Sequence, residues 1–321
     1  MKNLKEVLQA VEEKIRLVQI ERSPDELFAP YAYIMQLGGK RMRPVLTLWG
    51  YYLLRDDWQN ALLPATATEV FHNFTLVHDD IMDNAPLRRG KATVHEKWNR
   101  DIGILSGDMM LIEAYRILNL YPFENLQKVI ELFSLCAIDV CRGQQFDMNF
   151  ATQTHVGIED YIEMIRLKTA VLPAFCLQLG AYCAGANDEI ADKLRIIGEK
   201  IGIAFQIKDD LLDAFGDAET FGKQTGGDIL ENKKTLLYLH AFANAKGDEV
   251  EKLKNAFALA GEAKVNAVKD CFRALKSDVF AEKEAERYFV EAFALLENLP
   301  ADAEKKKLML AFFENIRDRK Y

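Results

Sequence analysis

Twice in this chain an apolar run of helical period ends in the same acidic spacing. "HNFTLVHDDIMD" closes with Asp79, Asp80 and Asp83, and "AFQIKDDLLD" closes with Asp209, Asp210 and Asp213. An α-helix turns about 100° per residue, so the first and last aspartates of each copy lie only about 40° apart, one turn above the other. Carboxylates so placed repel by a few tenths of a kcal/mol on an isolated helix, and by more where water is partly excluded. Such pairs at the ends of apolar helices call for a bridging cation, and Mg²⁺ suits them because it takes carboxylate oxygens together with waters and substrate phosphates. A solvated acidic helix end explains either copy singly, since short motifs recur by chance, but it does not explain the repetition. The copies are far enough apart in the chain to lie on facing helices, and Gln206 shares the helical face of Asp209 and Asp213.

The remaining pattern is helical as well. Val70, Phe74, Val77 and Ile81 step by four, three and four, and strand-like alternation is scarce. "RSPDE" offers Ser23 as an N-cap, Pro24 at the first helical position and Glu26 to complete a capping box. Gly38-Gly39, Pro86, Pro122, Gly216, Gly222 and Pro300 mark further turns. With no flexible linker and no solenoid repeat, one all-α domain of ten or more helices over residues 1–321 is expected. The stretch from about Gly247 onward is charge-rich and amphipathic and suggests packing only. "TAVLPAFCLQLGAYCAGAN" is uncharged over a nearly membrane-spanning length. Pro173, Gln178, Asn187 and its many small residues favour a helix buried among others, and hence not an integral membrane protein.

Composition sets limits on partners and compartment. A formal charge of -8 argues against a nucleic acid held by bulk charge, so any anionic ligand needs a local basic cluster. Five cysteines without a CxxC pair point away from a disulfide framework or a zinc site and toward a reducing, cytoplasmic setting. The N-terminus "MKNLKEVLQAVEEK" is charged and amphipathic throughout and is read as a first helix rather than a signal peptide.

Local basic clusters are present beside both acidic motifs. "GGKRMRP" carries Lys40, Arg41 and Arg43, and "PLRRGK" carries Arg88 and Arg89. "RLKTA" carries Lys168 and Thr169, and "FGKQTGGDILENKKT" carries Lys223 and Lys233. Each alone reads as a solvated surface cation. Together with two acid clusters and loop glycines they describe a diphosphate pocket, with arginine offering forked hydrogen bonds and lysine point charge.

"GGKRMRP", "HNFTLVHDDIMDNAPLRRG", "GQQFDM", "KTA", "FQIKDDLLD" and "GKQTGGD", in that order, resemble the trans-isoprenyl diphosphate synthases of the polyprenyl synthetase family over nearly the whole length. The resemblance implies the isoprenoid synthase fold, an all-α bundle around a deep central cavity, usually a homodimer. It implies that Asp79, Asp83 and Asp209 ligate Mg²⁺, with Asp213 near and Asp80 supporting. It places Arg88, Lys168, Thr169, Gln206, Lys223 and Lys233 on an allylic prenyl diphosphate, and Lys40, Arg43, His72 and Arg89 on isopentenyl diphosphate. His72 alone would read as a core histidine, yet it falls only about 20° from Asp79 around the helix. The implied reaction is head-to-tail condensation. The departing diphosphate is stabilised by cations, the isopentenyl double bond attacks the allylic cation, and a proton is lost.

Product length is expected to follow what blocks the cavity below Asp79. Phe74 and Phe71, five and eight positions upstream, are large, and in the family an aromatic residue five positions before the first aspartate resembles short-chain enzymes. Farnesyl or geranylgeranyl products are therefore expected. On a helical wheel Phe74 and Phe71 fall about 140° and 80° from Asp79, and Thr75, about 40° away, lines the site more directly. One departure from the family pattern is Asn232, where a glycine usually precedes the last lysine; Asn tolerates left-handed turns. A longer-chain synthase, a class I terpene cyclase and a noncatalytic family subunit are the competing readings. The cyclase would not need Lys40, Arg43 and Arg89, and the subunit would be expected to lack one acid cluster.

Overall fold

Helices carry almost all of the regular backbone. The computed structural model describes residues 1, 3–18, 23–216 and 225–318. Among them run α1 (Leu4–Val18), α2 (Asp25–Gln36), α3 (Met42–Tyr52), α4 (Leu62–Met82), α5 (Val94–Lys97), α6 (Arg100–Asn119), α7 (Leu126–Thr152) and α8 (Ile158–Ile165). They are followed by α9 (Val171–Cys183), α10 (Asp188–Phe215), α11 (Gly227–Leu230), α12 (Leu236–Asn244), α13 (Asp248–Ala258), α14 (Gly261–Ala274), α15 (Ser277–Glu297) and α16 (Ala303–Arg317). The all-helical expectation holds. The β-structure among the described residues is one hairpin of two-residue strands, β1 (Leu87–Arg88) and β2 (Lys91–Ala92).

The chain divides into two compact units. The first comprises Met1–Leu135, Leu172–Arg195 and Leu299–Leu308; the second comprises Cys136–Val171, Ile196–Asn298 and Met309–Tyr321. In the first, α4 is the central element and packs against α3 and, most extensively, α6. Val70, Phe74, Val77 and Ile81, the positions picked out by period, are all 8% exposed or less. Burying each of these side chains is worth about 1.5–3 kcal/mol, which fixes the rotation of α4 and so the direction of its polar face. The helix stops at Met82, because Asn84 turns left-handed at φ 49° and Pro86 cannot continue it.

In the second unit the apolar stripe Ile203, Ile207, Leu211 and Ala214 of α10 enters a core shared with Tyr161 and Phe272. The α8 and α9 helices are continuous through a π-turn at Arg166–Ala170. The stretch Ile158–Cys183 is long and apolar enough to span a membrane, but 78% of its most apolar window is buried inside the protein. The buried-helix reading of residues 169–187 thus agrees with the packing.

Two local expectations shift. Pro24 occupies the N-cap of α2 in an extended conformation, φ -82° and ψ 147°, so the helix starts at Asp25 and no side chain caps it. The capping box expected from Ser23 and Glu26 does not form, because the first helical position lies one residue later than Pro24. The hairpin was not expected either. Its strands are too short to show alternation, and its signal is the two-residue turn Arg89-Gly90, with φ 53° and 73°, a type I′ geometry.

Candidate active site

In the first unit the site grows from the C-terminal turn of α4. Asp79 is half-buried, Asp83 is exposed at the helix end, and Asp80 points inward at 1% exposure. Asp80 is held by Arg88 from the hairpin: Nε donates to Oδ1 and Oδ2 at 2.9 and 2.8 Å, and Nη2 lies 2.7 Å from Oδ1. The same guanidinium is 3.8 Å from the Asp79 carboxylate. Burial raises the Asp80 pKa against the opposing pull of Arg88. Burial opposes the Arg88 charge, but its bonds to Asp80 outweigh this and raise its pKa.

Beside this acid lies a basic pocket. The turn before α3 is left-handed at Gly38, Gly39 and Arg41, with φ 74°, 143° and 46°. Arg89 donates to the Gly38 carbonyl, and Gly39 beside it, at φ 143°, holds a backbone conformation that residues with a Cβ rarely adopt. Arg41 is buried and fully engaged. It donates to Glu12 at 2.7 Å, to Glu69 at 2.6 Å and to the Met35 carbonyl at 2.7 Å, which ties the turn to α1, α4 and α2. Arg43 follows half-buried in the first turn of α3, where the helix dipole favours anions, and Lys40 is exposed.

His72, two turns before Asp79 on α4, feels this pocket. Burial, and then the charges of Arg43, Arg89, Arg88 and Arg41, hold its pKa well below the usual histidine range. It is therefore a neutral hydrogen-bonding group amid cations. Arg89 is likewise depressed, first by burial and then by Arg41, Arg88 and Arg43, with Glu69 opposing. An anion entering here would relieve that mutual repulsion.

The chain-length candidates lie on the same helix. Thr75 is half-buried and its hydroxyl donates back to the His72 carbonyl at 2.8 Å. Phe74 packs between Phe71 and His78, with ring centroids 5.6 and 4.9 Å away. Phe71 is fully buried against Phe133, centroids 5.1 Å apart, which makes it a core residue of this unit.

In the second unit the pattern repeats with different partners. Asp209 and Asp213 are half-buried, and Asp210 again points inward, accepting from Tyr161 Oη at 2.6 Å and Gln206 Nε2 at 2.8 Å. Gln206 in turn accepts from Thr169 Oγ1 at 3.0 Å. Lys168 and Thr169 belong to the π-turn, and the Lys168 ammonium rests 2.5 Å from Asp147 of α7. The α11 helix is tied to Asp213, whose Oδ2 accepts from the Asp228 amide at 3.0 Å. Burial, and then the charge of Asp228, push Asp213 up to about 6. Lys233 sits 3.4 Å from Asp228 and 3.1 Å from Glu231. Lys223 lies outside the described residues.

Sequence reading missed Asp147 and Asp228 as members of this cluster, and it named Asp210 without its inward anchoring role. Asp147 stands in "GQQFDM" and Asp228 in "TGGD", but their roles depend on partners on other elements, which spacing does not disclose. Arg41 was seen as one more cation, whereas its two carboxylate partners neutralise it.

The acid groups suit a hard divalent cation, being all oxygen donors. Among the described residues, no group of three or more His, Cys, Asp or Glu side chains converges as a ready-made metal cage.

The polyprenyl synthetase family matches residues 24–275 of the chain. A crystal structure of a geranylgeranyl pyrophosphate synthase aligns over 100% of both chains with a TM-score of 0.95 and 42% identity. The geranylgeranyl pyrophosphate synthase of Geoglobus acetivorans is 40% identical over 250 residues, 77% of each chain. The short chain isoprenyl diphosphate synthase of Methanocaldococcus jannaschii is 37% identical over 250 residues, covering 78% of this chain and 76% of its own.

Proposed function

The chain belongs to the polyprenyl synthetase family and is a prenyltransferase, and on that premise we propose that it joins isopentenyl diphosphate head to tail with an allylic diphosphate. The product is a short all-trans prenyl diphosphate of farnesyl or geranylgeranyl length, and the similarity to geranylgeranyl synthases favours the longer of the two. One observation carries the reading: a neutral His72 amid four arginines, on the same helix as the half-buried Asp79. That pairing supplies a place for one diphosphate bound by cations alone and another bound through metal.

Asp79, Asp83, Asp209 and Asp213 are the residues to hold Mg²⁺, which when bound withdraws charge from the allylic diphosphate and eases its departure. Arg88, Lys168, Thr169, Gln206, Lys223 and Lys233 contact that diphosphate, and residues 1–321 act as one functional domain. As the allylic C–O bond breaks, its electron pair leaves with the diphosphate, and these cations stabilise the charge that develops there. Lys40, Arg43, His72 and Arg89 hold isopentenyl diphosphate so that its double bond forms the new C–C bond. Neutral His72 donates a hydrogen bond to an anionic oxygen, and the released diphosphate takes the proton lost from carbon.

Phe74 limits the product, with Thr75 lining the chain's path; Phe71 backs Phe74 from the core. The α6 helix carries Leu105 and Ile112 at 60% and 68% exposure, seven positions apart and hence on one face. A homodimer formed through that face covers them. All five cysteines are free, which suits a cytoplasmic enzyme.

The test is product analysis. Purified protein with Mg²⁺, isopentenyl diphosphate and each of dimethylallyl, geranyl and farnesyl diphosphate should give one short product by mass, and excess EDTA should abolish it. Phe74→Ala should lengthen the product. No elongation with any primer would sink the reaction, and an unchanged product from Phe74→Ala would move the stop elsewhere.

A further inference from the structure

The segment "GDILENKK" ends α11 in a Schellman turn. The Lys233 amide donates to the Asp228 carbonyl at 2.9 Å and the Asn232 amide to the Ile229 carbonyl at 3.2 Å, with Asn232 left-handed at φ 57°. The turn leaves the Leu230 carbonyl to be satisfied from elsewhere. Lys264, in the first turn of α14 and only 5% exposed, reaches it at 3.1 Å and donates to Asn232 Oδ1 at 2.8 Å. The other end of α11 is also held. The Gly226 amide donates to the Asp213 carbonyl at 2.7 Å, and Val265, next to Lys264, packs so closely on Gly226 that a Cβ there would lie 2.7 Å from its Cγ1.

We propose that Lys264 and Asn232 are positioning residues for Lys233: the buried ammonium clamps the turn so that the next residue presents its own ammonium to the allylic diphosphate. This rests on the allylic role given to Lys233 above. A glycine at 232 would allow the same backbone but would have no side chain for Lys264 to grip. The clamp is thus a feature of this chain where the family pattern has glycine. An ammonium desolvated to this degree needs its acceptors, since a buried charge without them is costly. A fixed turn in turn lowers the entropy lost when Lys233 engages the substrate.

The experiment compares full-length wild type, Asn232→Gly, Lys264→Met and the double variant in steady-state kinetics with geranyl and isopentenyl diphosphates. Asn232→Gly should raise the KM for the allylic substrate by about three- to tenfold, while kcat and the isopentenyl KM stay within about twofold. The double variant should resemble the worse single one, because both remove one interaction. Asn232→Gly keeps a backbone that glycine adopts freely, so it remains informative if Lys264→Met fails to fold. An active wild type with an unchanged allylic KM in Asn232→Gly, or equal rises in both KM values, overturns the clamp while leaving the reaction intact. A wild type that forms no elongated product overturns the reaction and the clamp with it.

Discussion

The two acidic motifs divide labour within themselves in the same way. In each, the second aspartate turns into the protein, Asp80 to Arg88 and Asp210 to Tyr161 and Gln206, while the first and third keep contact with solvent. The i,i+4 spacing that reads as a metal pair was legible; the anchoring of the middle residue was not, because its partners come from other elements. Replacing Asp79 with Ala should cut turnover roughly hundredfold or more at saturating Mg²⁺ while leaving the thermal midpoint nearly unchanged, since it removes a proposed metal ligand and relieves carboxylate repulsion. Assay and thermal melt on the same preparation check this. His72 gives a pH signature. Its pKa is depressed in the folded protein, so on acidification through the ordinary histidine range near 6.5 the unfolded chain gains a proton that the folded one refuses, and stability falls. His72→Gln should therefore lose less stability than wild type between about pH 7.5 and pH 5.5, read by chemical denaturation at each pH.

Helix α8 reaches α9 through a π-turn, and that turn displays Lys168 and Thr169 one after the other. Such turns widen a helix by one residue and are frequent at functional sites. The helical reading of residues 169–187 carries no signal of the extra residue. What holds the turn is contact with α7: a Cβ on Gly143 would lie 2.2 Å from the Lys168 backbone nitrogen. Gly143→Ala should force α7 and the π-turn apart, destabilise the protein by about 1–3 kcal/mol and weaken allylic substrate binding through Lys168. Denaturant unfolding and the allylic KM measure the two effects, and no change in either would show that the contact yields easily. The hairpin was hidden for a related reason, since strands of two residues leave no alternation, and the turn marked there was Pro86.

Across the molecule, each compact unit keeps its own apolar core and one acidic motif. The exposed apolar face of α6 belongs to this scale as well. Ile112→Lys should convert a dimer into a monomer in sedimentation analysis, whereas an unchanged mass would place the interface elsewhere. By itself the sequence determined the helical class, through hydrophobic period, and the spacing on which the proposed chemistry rests, carboxylate pairs one turn apart beside clustered arginines. It also placed His72 on the helix that carries Asp79. Only the tertiary structure decided which partner each of these polar side chains meets. Arg41 and Arg88 are already committed to carboxylates, Lys168 leans on Asp147, and Asn232 is gripped by Lys264. Charge interactions depend on distance and desolvation between residues far apart in the chain, and neither quantity exists until the elements have packed.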